Sequence, residues 1–175
     1  MIIGTNGVGK SALARELMSA LGGIEKYENQ ISYLADQESY FLGKYKGVKL
    51  GGVDYINKTR ELANIAKKGL ETHSNCFLEG RYINTFSQSL CNVLFQFDKQ
   101  LVVLLYLSEK MIRNRIIQRT GEFKSNMPYI LKAQQLAMRA AVKYKAIGVP
   151  VLCVDTENAS AKEIANKILT YIKNN

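Results

Sequence analysis

Histidine occurs once in this chain, proline twice and cysteine three times, and each scarcity narrows what the protein can be. His73 sits in the polar stretch ETHSN ahead of an apolar run, where it reads as a loop residue rather than a catalytic base. With so few imidazoles and thiols, no zinc site can be assembled from the sequence. Cys76, Cys91 and Cys153 lie far apart, each beside apolar residues and without C-x-x-C spacing. An odd set of this kind predicts reduced core thiols in a cytosolic protein, not a disulfide framework. Low-complexity tracts and internal repeats are missing as well. The longest apolar run, LVVLLYL at 101–107, is far too short to span a bilayer. A secretory leader does not fit, because a glycine-rich motif occupies the place of its apolar region, and the expected location is the cytoplasm.

That motif is GTNGVGKS, residues 4–11, which fits G-x-x-x-x-G-K-[ST]. Glycines 4, 7 and 9 free the backbone to turn its N–H groups inward around phosphate. Lys10 is expected to project, exposed, toward the outer phosphates, and the Ser11 hydroxyl to ligate Mg²⁺. The surrounding sequence agrees. Met1-Ile2-Ile3 suits a short strand, and KSALARELMSALGG repeats apolar residues at helical spacing, with Ala12, Leu13, Leu17 and Leu21 on one buried face. A helix starting there aims its positive end at the phosphates. Gly4, Thr5, Asn6, Gly7, Val8, Gly9, Lys10 and Ser11 are therefore the candidate nucleotide-binding residues, with ATP or GTP as ligand.

The 175 residues suit one domain with a sizeable core. Net charge is +9, and it is unevenly spread. Between Lys110 and Lys145, nine Lys or Arg face one acid, and between Phe41 and Leu70 seven face two. Such clustering points to an anionic partner, nucleotide phosphates or a nucleic-acid backbone, with solvated lysine-rich helix faces as the alternative.

Along the chain, strand and helix patterns alternate. ISYLA and SYFLGKY read as two short strands of a hairpin, followed by a loop at KGVKLGG. DYINKTRELANIAKKG has helical spacing, opening at Asp54 and closing at Gly69. NCFLEG is a strand ending on Glu79, INTFSQSLCNVLFQF a helix, and QLVVLLYL the central buried strand. Two basic helices follow, SEKMIRNRIIQRT and MPYILKAQQLAMRAAVKYKAIG, the second with Pro128 in its first turn. The strand VPVLCVDT and the helix SAKEIANKILTYIKN complete an α/β pattern with a mostly parallel sheet and helices on both faces. Ligands of such sheets bind at the carboxyl ends of the strands, where the phosphate loop, Glu79 and the end of the strand LCVD should converge.

What the protein does with a triphosphate depends on the neighbouring groups. Guanine-reading switches carry N-K-x-D after a strand, whereas the N-K-T here is followed by Arg60. Mechanical ATPases end a strand in Asp-Glu, and no strand here does. Over nearly its whole length the chain resembles the P-loop nucleoside and nucleotide kinases, in the order phosphate loop, acidic strand end, arginine-rich segment, VD strand. The resemblance implies a three-layer sandwich in a single domain, residues 1–175. Its five-stranded parallel sheet would take the order 2-3-1-4-5, with a helical lid at about 110–127. It also implies phosphotransfer from ATP with Mg²⁺. In the lid, Arg113, Arg115 and Arg119 take the place of the family's spaced arginines, Arg113 on the nucleotide and Arg115 with Arg119 closing over the transferred phosphoryl. A surface helix with ordinary arginines is the alternative.

Glu79, with Gly80 and Arg81 after it, looks like the acid-Arg element of deoxynucleoside kinases. By that likeness Glu79 would hold Mg²⁺ through water or orient the acceptor hydroxyl, and Arg81 would touch a substrate phosphate. Tyr82 follows where the family usually has serine. Asp54 is either a general base for the acceptor or the N-cap of its helix. The preceding Gly51-Gly52 would let a substrate approach the backbone closely.

A narrower resemblance covers about residues 39–80. A strand ending L-G-K-Y, then G-G-x-D-x-I and an E-G strand end, is similar to phage-encoded P-loop kinases that phosphorylate 5-hydroxymethyluracil in DNA toward hypermodified bases. It implies substrate contacts from Lys44, Tyr45, Asp54 and Arg81, and a host-cytoplasmic location. The basic lid region suits a polymeric substrate. Tyr40, Tyr45, Tyr55 and Tyr82 could stack an extruded base, with ordinary packing as the alternative for each. A kinase of free deoxynucleosides or their monophosphates is the second expectation. The third is a nucleotide-dependent nucleic-acid-binding module that transfers no phosphate.

Overall fold

A computed structural model describes residues 1–45, 52–56, 59–80 and 82–174. Strand β1 is only Ile2–Ile3, and helix α1 runs Lys10–Ala20. Three strands follow, β2 Ile24–Glu28, β3 Ile31–Leu34 and β4 Ser39–Leu42. A 3₁₀ turn at Val53–Tyr55 precedes α2, Thr59–Leu70, and β5, Asn75–Leu78. The second half comprises α3 Gln88–Leu94, β6 Val102–Tyr106, α4 Glu109–Thr120, α5 Met127–Ala146, β7 Val151–Asp155 and α6 Ala161–Asn174.

The strands form two sheets. One is parallel, in the order β1-β6-β7, and the other is β2-β3-β4-β5, antiparallel at its first two pairings and parallel between β4 and β5. Among the described residues a single parallel bridge, Ile2 opposite Glu79, joins them. The expected five-stranded sheet in the order 2-3-1-4-5 is therefore corrected: β1 offers two residues, and against β5 only Ile2 finds a partner, too little for a ladder. The β3–β4 hairpin is as expected, whereas β2, IEKYE, adds an edge strand whose mostly exposed residues carry no alternating apolar signal.

Successive strand residues point to opposite faces, and each face is buried under helices. On one side Ile2, Phe41, Phe77, Val103 and Leu105 pack with α1, α4 and α6. On the other Ile3, Tyr40, Leu78, Val102 and Leu104 pack with α2, α3 and α5. The result is an α/β arrangement of three layers. Gly69 belongs to α2 rather than ending it. The Tyr40 ring occupies the space where its β-carbon would stand, 2.5 Å from that position. Tyr40 itself is fully buried and donates its hydroxyl to the Ala66 carbonyl (2.8 Å), so it is a core residue and not a platform for a base.

Two further expectations change. The helix read from INTFSQSLCNVLFQF shrinks to α3, because Ser87 caps it, its hydroxyl accepting from the Leu90 N–H (3.3 Å). The three cysteines are free, but only Cys91 is fully buried. Cys76 is half-buried and Cys153 exposed on β7. Among the described residues, no helix is long and apolar enough to cross a membrane.

Candidate active site

The phosphate loop connects β1 to α1 at the carboxyl end of the three-stranded sheet. Gly9 is the N-cap residue of α1 and holds φ at 101°, a left-handed value that a β-carbon would strain. Gly4 has no room for a side chain either, since a β-carbon there would stand 2.5 Å from the Leu105 carbonyl oxygen. Thr5 donates its hydroxyl to the Ile130 carbonyl (2.8 Å), fastening the loop to α5. Val8 is buried and Asn6 exposed.

Lys10 is the main departure from expectation. Its side chain is not exposed: 8 % of the residue is accessible. Nζ donates to the carbonyls of Gly4 (2.7 Å) and Thr5 (3.0 Å), curled back over the loop. Burial lowers its pKa, partly opposed by the carboxylates of Glu79 and Asp54. Glu79 is 3 % exposed at the end of β5. Burial raises its pKa; the Lys10 ammonium and a hydrogen bond from Ser11 work against that, and the charge of Asp54 adds to it. Lys10, Ser11, Glu79 and Asp54 thus form one buried to half-buried group, an ammonium, a hydroxyl and two carboxylates.

Backbone packing brings Asp54 there. The Lys44 N–H donates to the Gly52 carbonyl (3.1 Å) and the Val53 N–H to the Glu79 carbonyl (2.9 Å). Gly52, with φ at 48°, lies so close that a β-carbon would meet the Glu79 carbonyl oxygen at 2.2 Å. The strip 52–54 is therefore clamped between the end of β4 and the end of β5. Asp54 sits in the 3₁₀ turn, ahead of the first residue of α2, so the helix N-cap is not its position. Its carboxylate oxygen faces Gly80, 2.7 Å from where a β-carbon would stand. Tyr45 is buried with Glu79 and Asp54 among the charges around its hydroxyl, and burial chiefly pushes its pKa up. Its ring packs edge-on against Phe41, centroids 5.2 Å apart. Lys44 is exposed, as is Tyr82. Arg81 and the side chain of Tyr55 lie outside the described residues.

The three arginines of α4 do not converge. Arg115 reaches back to the loop after β7, donating to the Thr156 hydroxyl (3.0 Å) and carbonyl (2.6 Å), with the Val8 carbonyl at 3.5 Å. Arg113 lies over the Phe123 ring at 4.5 Å, and Arg119 is on the exposed last turn. Asn84, which nothing in the sequence signalled, is buried and holds Gly4 by two hydrogen bonds.

The residues present fit a divalent cation. A hydroxyl in the first turn of α1 already bonded to a buried carboxylate is a hard-oxygen donor pair, and Mg²⁺ takes one or two carboxylates together with phosphates. Among the described residues no group of three His, Cys, Asp or Glu forms a fuller metal cage. A cavity of about 680 Å³ opens at the opposite, amino-terminal edge of the strands, between residues such as Leu17, His73, Asn75, Leu101 and Ile168. It holds none of the site residues expected from the sequence.

No protein-family model and no curated protein matches the chain. Among solved structures it is similar to the YorR protein from Bacillus subtilis in complex with phosphorylated GDP. The two share 16% identity over 98% of this chain and 94% of that one, with a TM-score of 0.63. It is also similar to deoxyadenosine kinase from M. mycoides with bound dCTP, at 18% identity over 99% and 98% of the chains and a TM-score of 0.49. The likeness to YorR establishes a shared α/β fold.

Proposed function

We propose that the protein is a P-loop kinase that moves the γ-phosphoryl of ATP to a hydroxyl of a nucleoside-type acceptor. The observation that carries this is the grouping of Lys10, Ser11, Glu79 and Asp54 at the start of α1. The fold shared with YorR, a protein holding phosphorylated GDP, supports a nucleotide at this site.

With donor bound, Lys10 exchanges the Gly4 and Thr5 carbonyls for phosphate oxygens, and the α1 N-terminus adds its partial positive charge. Ser11 and, through water, Glu79 would hold Mg²⁺, which neutralises charge on the donor phosphates. Asp54 takes the proton of the acceptor hydroxyl as its oxygen bonds to the γ-phosphorus; the β–γ bridging bond breaks and ADP leaves. Arg115 and Arg119, on a lid spanning about 110–127 of a single domain, compensate charge on the phosphoryl after leaving their present positions. Lys44, Tyr45 and Arg81 hold the acceptor.

The acceptor we favour is the hydroxymethyl group of 5-hydroxymethyluracil in DNA, with the reaction running in the cytoplasm. Two features support it: the motifs of residues 39–80, and the exposed Lys132, Arg139, Lys143 and Lys145 on α5, a helix without acids. Free deoxynucleosides or their monophosphates are the second reading, supported by the burial of Tyr45 and Glu79 and by the ligand of YorR. Labelled ATP incubated with plain DNA, hydroxymethylated DNA, nucleosides and nucleotides tests both. Label on hydroxymethylated DNA, falling with salt at about −0.9 in log–log slope per phosphate neutralised, is the expected result. Label on free nucleosides or nucleotides, with DNA inert at low salt, would favour the second reading. ATP binding without any labelled product would leave a binding module.

A further inference from the structure

We propose that Asn84 is a positioning residue that keeps the phosphate loop in its binding shape, its side-chain amide standing in for a strand peptide that β5 does not supply. The proposal rests on reading residues 4–11 as a triphosphate site. On one flank β1 pairs with β6, Ile2 opposite Val103 and Ile3 opposite Leu104. On the other flank, among the described residues, pairing ends at the bridge between Ile2 and Glu79, and β5 itself stops at Leu78, short of Gly4. Gly4 is buried, and an unpaired buried peptide group is costly.

Asn84 fills that gap. Its Oδ1 accepts from the Gly4 N–H (2.9 Å) and its Nδ2 donates to the Gly4 carbonyl (3.0 Å). This is the paired donor and acceptor that a neighbouring peptide would have offered, and Asn and Gln alone carry both on one planar amide. The residue is 3 % exposed and follows Ile83, which is fully buried. A few residues on, the chain is pinned again by the Ser87 cap of α3.

The consequence is functional because the Gly4 carbonyl has two partners, Lys10 and Asn84. When Lys10 leaves for a phosphate oxygen, Asn84 keeps that carbonyl paired and the loop in place. Asn84 also lies on the segment that follows Glu79, so it ties the acceptor-side strand to the donor loop.

The test uses the full chain as wild type, Asn84→Ala and Asn84→Asp, with MgATP affinity by calorimetry and Gly4 amide hydrogen exchange by NMR. In Asn84→Ala, Gly4 exchange should quicken and ATP affinity fall about tenfold, with the ATP KM rising more than kcat falls. Asn84→Asp still accepts from the Gly4 N–H, so exchange should stay slow. Its carboxylate faces the Gly4 carbonyl at neutral pH, however, and affinity should drop. Acidification through the carboxyl titration should restore affinity relative to wild type, since a neutral carboxyl donates. A purely structural asparagine would show no such recovery. Folded variants that bind ATP within twofold of wild type would overturn the proposal, as would an Asp variant without pH recovery. If wild type binds no ATP, the kinase reading falls, and unchanged Gly4 exchange in the Ala variant would separately dispose of Asn84. Should Asn84→Ala fail to fold, Asn84→Asp carries the test.

Discussion

The phosphate loop and the α4 segment are both rich in groups suited to phosphate, yet the structure treats them differently. Around the loop, partners distant in sequence converge: Asn84 on Gly4, Ile130 on Thr5, and Glu79 beside Lys10 and Ser11. On α4 each arginine is occupied elsewhere or exposed, Arg115 on Thr156 and Arg113 on Phe123. In the first region the fold already gathers the groups, and only the Lys10 side chain has to turn outward from the Gly4 and Thr5 carbonyls; in the second, Arg115 has to give up Thr156 before it can reach a phosphoryl. Preorganised charge stabilises a transition state without reorganisation at the moment of reaction, so the loop should carry the larger share of catalysis.

The sharpest break of that comparison is Lys10→Met, which keeps the side-chain stem and removes the ammonium. Phosphoryl transfer should vanish in a radiolabel assay while the circular-dichroism spectrum stays native. Near-normal turnover would end the phosphate-loop reading. Next comes Asp54→Asn, which should slow the chemical step by roughly 10²–10⁴-fold in single-turnover kinetics with ATP affinity intact. Because Asp54 caps no α-helix, a loss confined to melting temperature would remove it from the chemistry. Arg115→Ala should cost less, about tenfold in kcat/KM, the scale of a hydrogen bond to a charged group. Part of that cost should be visible as a looser loop after β7 in hydrogen exchange. A loss as large as that of Lys10→Met would reverse the ranking of the two regions.

The smallest effect is on stability and concerns Glu79. Its folded pKa is raised above the ordinary 4.5, chiefly by burial, so between those two values the folded state holds more protons than the unfolded. Stability must then fall as pH rises through that window and level off above it. Thermal melts of wild type and Glu79→Gln from pH 4 upward should show wild type losing ground to the variant as pH climbs. In activity assays the same variant should also shift the Mg²⁺ dependence. Parallel melting curves would mean that Lys10 and Ser11 fully compensate the buried carboxylate.

How much of this was readable beforehand follows the range of the interactions. The loop, α1 and the buried strands are written in local pattern, glycine spacing and apolar runs, and the structure has them where the sequence puts them, except that Ala12 is exposed and Ala14 and Met18 join Leu13 and Leu17 on the buried face of α1. β2 was not readable, because an edge strand with exposed residues needs no alternation. Apolar spacing that continues through Ile83 and Phe86 overextends the helix that the sequence predicts, while the Ser87 cap sets the real start of α3. The curled Lys10 and the grip of Asn84 depend on where two chain segments meet. Gly4 and Asn84 are 80 residues apart, and no local signal links them. Even the sheet order rests on resemblance, and a two-residue β1 is enough to divide it.

The accessibility of the cysteines gives the protein a ready observation point. Cys91 is buried, the Cys76 thiol is pushed up to about 12, chiefly by burial, and Cys153 alone among the three is exposed. A maleimide dye should therefore label a single position without any engineering of the chain. That position lies on β7, three residues before Thr156, to which Arg115 is fastened. If α4 swings away when nucleotide binds, the dye would report the release in real time, from a strand that carries none of the proposed chemistry.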